Sequence, residues 1–330
     1  PLVNLFFGRE NAAAAALADT YFRIMLASLP FFVVDLTISA SMRGAGDTFT
    51  PMAVTGFGNV LNIVLCALLI GPLGITGAGI ALASTRVATA LVRIVLMFRF
   101  RRVLFLIRSE RYRYEPALMG RILRQGLPAF IEQAVMQSGF LMMSAILATL
   151  GTAALASWQV GVNMNSLAFM PIFGLAVATT TYVGQALGAG RIDDAAAGVR
   201  GSLWMGIPIM TLLGGLAALF AEPLARLYSS DPTVIAAGIG LIRIFALLEP
   251  LLGVINLCSG TLRAAGDIKY VTATSFIGLW LFRVGISTVL VRLLGFGIYG
   301  VMVGTGIDFF VRATLYALRV RRGRWKHMKV

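Results

Sequence analysis

Residues 21–54 and 241–274 repeat one another. Aligned without a gap at an offset of 220, they share Arg23/Arg243, Ile24/Ile244, Pro30/Pro250, Val34/Val254, Ser39/Ser259, Arg43/Arg263, Ala45/Ala265, Gly46/Gly266, Asp47/Asp267 and Ala53/Ala273. The matches include the proline, glycine and charged residues that punctuate a chain. Between the paired arginines lie 19 mostly apolar residues, 24–42 and 244–262. At ~1.5 Å rise per residue such a run makes a helix of roughly 30 Å, the thickness of a bilayer core. A membrane hairpin written twice in one chain is the pattern from which transporter folds are built.

Composition places the whole chain in lipid. With 58% hydrophobic and 13% charged residues and a mean hydropathy of +0.86, it has too little polar surface to cover a soluble globule. The net charge of +14 does not point to nucleic acid, because the basic residues punctuate apolar runs instead of forming a continuous patch. Cys66 and Cys258 sit inside apolar spans as small core residues and imply neither a disulfide nor a metal site. The single histidine, His327, lies in the basic tail, which removes the usual triads, dyads and zinc motifs. An intramembrane enzyme is therefore disfavoured, and no catalytic residue, metal or cofactor is expected.

Apolar runs of bilayer length predict nine transmembrane helices, near 22–42, 52–71, 75–98, 127–149, 157–183, 200–220, 241–262, 271–291 and 298–318. Their connections sort by charge. One set holds Arg43, the eight arginines from Arg99 to Arg124, Arg191 with Arg200, Arg263 with Lys269, and the tail Arg319, Arg321, Arg322, Arg324, Lys326 and Lys329. The other holds only Arg9, Arg226 and Arg292. Positive residues mark the inner side, so the first set and the C-terminus are read as cytoplasmic. Gly71-Pro72-Leu73-Gly74 and Gly295-Phe296-Gly297 are tight turns between antiparallel helices. Residues 101–126, basic and carrying Tyr112, Tyr114 and Pro116, are read as a surface-lying linker between two halves. Residues 127 to about 220 have no counterpart ahead of residue 1, so the repeat implies a parent of six plus six helices and a chain lacking about three of them. The expected division is 1–100, half of an N-terminal six-helix bundle; 101–126, the linker; and 127–330, a complete C-terminal six-helix bundle.

At this point the residues resemble the multidrug and toxic compound extrusion family. The resemblance is carried by Met42-Arg43-Gly44-Ala45-Gly46-Asp47-Thr48 with Pro51, Asn59 and Asn62, and by Leu262-Arg263-Ala264-Ala265-Gly266-Asp267. Gly126-Leu127-Pro128, the turn Gly151 to Ala156 with Trp158-Gln159, and Val183-Gly184-Gln185-Ala186-Leu187-Gly188-Ala189-Gly190 belong to it too. It implies an all-α, two-lobed antiporter of twelve helices that exports amphipathic, often cationic compounds in exchange for Na⁺ or H⁺. It also implies a bacterial or archaeal cytoplasmic membrane, a monomer, and the bilayer and a small molecule as partners. No Walker-type loop is present, so the energy would come from an ion gradient; one charge moving down ~100 mV releases about 2.3 kcal/mol.

Ionisable residues inside spans are where function should show. The acids are Asp35, Glu132, Glu249 and Asp308, the candidates for cation coupling, accompanied by Arg86, Arg93, Arg243, Arg283 and Arg312. Asp308 lies about ten residues from the outer end of its span and Arg283 about nine from that of the preceding one, so a buried Arg283–Asp308 ion pair is plausible. Arg312 shares a helical face with Asp308. Asp35 and Arg86 could pair likewise. Glu132 reads either as a first-turn carboxylate complementing the helix dipole or as a coupling acid beside Gln133 and Gln137; family members with an acid on this helix favour the second. Glu249 precedes Pro250, which frees carbonyls that could coordinate a cation. Glu132 and Glu249 fall at different depths and should not meet.

The substrate wall is expected on two helices, from Glu132, Gln133, Met136, Gln137, Phe140 and Met143 on one and Gln159, Asn163, Met164, Asn165 and Phe169 on the next. Arg43, Asp47, Arg263 and Asp267 read as inner-face anchors, with each aspartate opening the following helix. Two alternatives stand beside the exporter: a lipid-linked precursor flippase, which would want a cavity rich in cations, and a membrane subunit that does not transport.

Overall fold

In a computed structural model of the chain, residues 12–99 and 115–328 are described, and every regular element among them is helical. Eight of the helices are long and apolar enough to cross a membrane. The chain divides into two compact units, Pro1–Arg113 and Tyr114–Val330.

The first unit pairs α1 (Ala12–Gly44) with α2 (Phe49–Arg99). Unbroken, the 51 residues of α2 would run about 75 Å, more than twice a bilayer core. The helix breaks at Gly74, whose φ of 55° and ψ of −135° suit a residue without a Cβ. Its arms fold back on each other, since a Cβ on Gly58 would lie 2.7 Å from Thr89 Cγ2 and one on Gly77 would collide with the Leu69 carbonyl. The expected spans at 52–71 and 75–98 are the two arms of this element.

The second unit contains α3 (Pro116–Ala148), α4 (Thr152–Gly188), α5 (Ile192–Leu219), the short α6 (Ala221–Tyr228) and α7 (Pro232–Ala264). One further span comprises α8 (Ile268–Phe276), a π-helical stretch (Ile277–Ile286) and α9 (Ser287–Arg292); α10 (Gly297–Arg321) follows. Helix α3 starts earlier than its apolar run, because Pro116 at its first turn is preorganised for helix entry. Residues 116–126 of the expected linker are thus helical; residues 101–114, with Tyr112 and Tyr114, lie outside the described residues. Asp231 caps α7, accepting from Thr233 Oγ1 at 2.7 Å and Thr233 N at 2.8 Å, contacts that hold its carboxyl below the usual value. The main core joins α4, α5, α7 and α10 and takes in Trp325 beyond α10, whose Nε1 donates to Val320 O.

The repeated turn is built the same way twice. Asp47 N donates to Met42 O at 2.9 Å and Asp267 N to Leu262 O at 2.8 Å, with Gly46 and Gly266 between at φ 97° and 81°. A glycine in left-handed conformation with this six-residue backbone bond is a helix C-cap, and it reverses the chain between α1 and α2 and between α7 and α8.

Candidate functional site

A cavity of about 520 Å³ opens among α3, α4, α7, α8, the π-helical stretch and α10, wholly within the second unit. Its wall is mixed. Phe140, Trp158, Phe169 and Phe245 supply aromatic surface; Asn165, Asn256, Ser259 and Thr305 supply neutral polar groups; Glu132, Arg263, Arg283 and Arg312 supply charge. The volume suits a drug-sized molecule, and adaptable apolar walls with a few fixed polar groups are the usual make-up of such sites.

Glu132 occupies the middle of α3, sixteen positions after Pro116, so it is no first-turn carboxylate. Arg263, the last-turn arginine of α7, donates to its Oε1 at 2.6 Å, and Ser275 Oγ donates to the same oxygen at 3.2 Å. Ser275 in turn lies 2.9 Å from Tyr316 Oη, whose single proton can go to Ser275 Oγ or to Val271 O at 3.0 Å. This chain ties α3, α7, α8 and α10 together through one carboxylate that is 7% exposed. Arg263 is therefore part of the cavity wall and not only an anchor.

Asp308 on α10, completely buried, holds two arginines. Arg283 Nε and Nη2 reach its Oδ2 at 2.9 and 2.8 Å; Arg312 Nε reaches Oδ1 at 2.5 Å and Nη2 reaches Oδ2 at 2.7 Å. The structure thus brings together the expected pair and adds Arg312. Gly278 makes the arrangement possible, since a Cβ there would collide with Asp308 Oδ1 and the Arg312 side chain. Arg283 lies in the π-helical stretch, a local widening that often accompanies functional positions.

Glu249 on α7 is buried and does not line the cavity. Asn165, which does, donates to its Oε1 at 2.7 Å, while Oε2 is buried with no hydrogen-bond partner among the described residues. Glu249 and Glu132 have separate partners. The carbonyl that Pro250 cannot engage, Ala246 O, abuts Gly214 of α5.

On the substrate wall, Gln133, Met136, Phe140, Asn165 and Phe169 line the cavity with Glu132. Met143 and Met164 do not: they are buried in two separate hydrophobic clusters. Gln137 and Gln159 are exposed, and Asn163 is half-buried away from the cavity. On α4 the cavity-lining face runs Trp158, Val162, Asn165, Phe169 and Phe173, sharing Asn165 and Phe169 with the expected wall but taking Trp158 and Val162 in place of Gln159 and Asn163. Arginines are the larger omission: three of them line a wall expected to carry amides, methionines and one acid. The repeated Ser259 and Arg263, four apart on one helical face, were the available signal.

In the first unit Asp35 forms an ion pair with Arg93, not with Arg86. Arg93 Nη2 also donates to Thr55 Oγ1 at 2.8 Å, whereas Arg86 donates to Ser28 Oγ at 3.3 Å and stacks over the Phe32 ring. Asp47 accepts from Thr50 N at 2.9 Å, opening α2 as expected. Asp267 instead turns its side chain to Arg319 on α10, 2.7 Å away, and makes no side-chain cap of α8. Arg43 donates to Ser39 Oγ at 2.5 Å on its own helix.

A membrane bundle with a drug-sized cavity of aromatic and charged lining defines a small-molecule transporter of the membrane. The chain belongs to the MatE family, whose model matches residues 2–68 and 128–289. It is similar to the probable multidrug resistance protein NorM of Thermotoga maritima, 33% identical over 335 residues, covering 100% of this chain and 72% of that protein. The probable multidrug resistance protein YpnP of Bacillus subtilis is 27% identical over 316 residues, covering 95% and 70%. Its fold matches the outward-facing structure of a multidrug resistance MATE transporter with a TM-score of 0.90, at 24% identity, over 99% of this chain and 73–74% of solved relatives such as the bent form.

Proposed function

We propose that the protein is a secondary antiporter that exports amphipathic compounds in exchange for Na⁺ or H⁺, its cavity opening alternately to either side of the membrane. One observation carries this reading: a cavity of about 520 Å³ with a carboxylate, Glu132, in its wall. Counting the two arms of α2 separately supports a reading of nine crossings, and the arginine-rich connections favour a cytoplasmic C-terminus. The described repeat supports 127–330 as a six-helix lobe and 1–100 as three helices of another. Asp35, Asp308 and Glu132 are each engaged by arginine, but of these only Glu132 lines the cavity, and Glu249 keeps one oxygen without a hydrogen-bond partner among the described residues, which favours Glu132 and Glu249 as the coupling acids. Protonation or Na⁺ at Glu132 would compete with Arg263 for the same oxygens, and so would alter the ties among α3, α7, α8 and α10.

A second reading, flipping of a lipid-linked anionic precursor, is favoured by the three arginines of the wall. Vesicles under separate Na⁺ and H⁺ gradients test the first. Glu132→Gln is expected to abolish gradient-driven drug export with the protein still present in the membrane; export unchanged from wild type would remove Glu132 from the mechanism.

A further inference from the structure

Charge around the cavity does not balance. Glu132 and Arg263 pair one to one on the wall, but Arg283 and Arg312 share a single acid, Asp308, set behind it, so these ion pairs together carry one positive charge in excess. Asp308 accepts from Arg283 Nε and from Arg312 Nε and Nη2, with Arg283 Nη2 2.8 Å from its Oδ2, and among the described residues neither Nη1 has a hydrogen-bond partner. Both arginines are 5% exposed and both line the cavity. Glu249, the remaining acid nearby, stands behind Asn165 and off the wall. Aromatic rings give partial relief: Arg283 lies 4.9 Å from the Phe309 ring centre, and Arg312 lies 5.7 Å from it. Such contacts offset far less than the desolvation of an unpaired ion costs. A planar guanidinium fork with unused donors on a drug-sized apolar cavity is suited to a carboxylate, sulfonate or phosphate.

We infer that this cavity takes an organic anion: an amphiphile whose acidic group sits against Arg283 and Arg312 and whose apolar body packs on Phe140, Phe245 and Phe309. The inference rests on the transport reading for why a ligand enters the cavity, and deepens it by setting the sign of the ligand's charge.

Fluorescein and rhodamine 123 share a xanthene body and carry opposite charge, which makes them a matched pair of probes. Anisotropy titrations of the purified protein in phosphatidylcholine nanodiscs should show fluorescein binding on the order of tenfold more tightly than rhodamine 123. Arg312→Met leaves Arg283 and Asp308 one to one and should erase that preference. Glu132→Gln removes an acid from the wall and should tighten fluorescein binding by on the order of tenfold, a gain that misfolding cannot mimic. Equal binding of the dyes, tighter rhodamine binding, or no gain in Glu132→Gln overturns the inference. If wild-type vesicles still export drugs, only the sign of the charge is wrong; if they neither bind nor export, the transport reading falls with it. Adding phosphatidylglycerol to the discs separates two sources of the anion. Displacement of fluorescein assigns the site to a lipid phosphate, and undisturbed binding assigns it to a soluble organic anion; both support an anion at the two arginines.

Discussion

In the first unit Arg43 donates to Ser39 on its own helix, and Asp47 caps the helix that follows. In the second, the matching Arg263 and Asp267 leave their own hairpin, one for Glu132 on α3 and the other for Arg319 on α10. Yet the turn between them has the same backbone bonds and the same left-handed glycine in both copies. The difference teaches where each property is stored. A turn depends on a few residues in sequence, whereas the use of a charged side chain depends on which helices stand beside it. A parallel contrast appears between the buried ion pairs. The first unit pairs Asp35 with Arg93 one to one, while the second sets Asp308 between two arginines.

That second contrast predicts the largest effect. Asp308→Asn strips from two buried guanidinium groups the one acid that pairs with them among the described residues, and breaking a buried pair costs about 3–5 kcal/mol. Little folded protein is expected, measured as the fraction remaining monodisperse in detergent after heating. Asp35→Asn should cost less, because Arg93 keeps Thr55 Oγ1 at 2.8 Å and Pro51 O at 3.3 Å as acceptors. Equal losses would break the distinction between the units. Exchanging the charges sharpens it: Arg283→Asp with Asp308→Arg restores one acid between two arginines, and this double variant should be more stable than either single one.

The turns should behave alike. Gly46→Ala and Gly266→Ala each force a side chain into left-handed backbone, at about 1–2 kcal/mol. Nothing lies within 4 Å of a Cβ built at Gly266, so conformation is the only cost there. Matched falls in melting temperature are expected; a drop confined to one variant would show that the two turns are not equivalent.

The same division explains what could be read from the sequence. Span positions followed from apolar runs bounded by arginines, since a helix satisfies its own backbone and needs no knowledge of neighbours. The level placement of Arg283 and Asp308 also followed, because consecutive antiparallel helices fix relative depth. Rotation about the helix axis did not. Met143 and Met164 share a helix with cavity residues, but they point into packed clusters, and hydropathy in a membrane protein carries little information about which apolar face is inward. The pairings of Arg263 and Arg93 were missed for a related reason. Their partners, Glu132 and Asp35, lie 131 and 58 residues away, and no local spacing connects them.

The smallest effect bears most directly on the repeat. Arg263 is 43% exposed along its side chain, so water and salt screen its pair with Glu132, and Arg263→Gln should cost only about 1 kcal/mol. Arg43→Gln loses one hydrogen bond to a serine on the same helix, and about 0.5 kcal/mol is expected. Total losses this close are hard to rank, so the coupling is the better measurement. A double-mutant cycle of Arg263→Gln with Glu132→Gln should return an interaction of roughly 0.5–1 kcal/mol that weakens as salt is raised, while the cycle of Arg43→Gln with Glu132→Gln should return none. A coupling of zero in the first cycle would mean that Arg263 anchors its helix as Arg43 does, and the two copies of the hairpin would then differ only in the use of their aspartates.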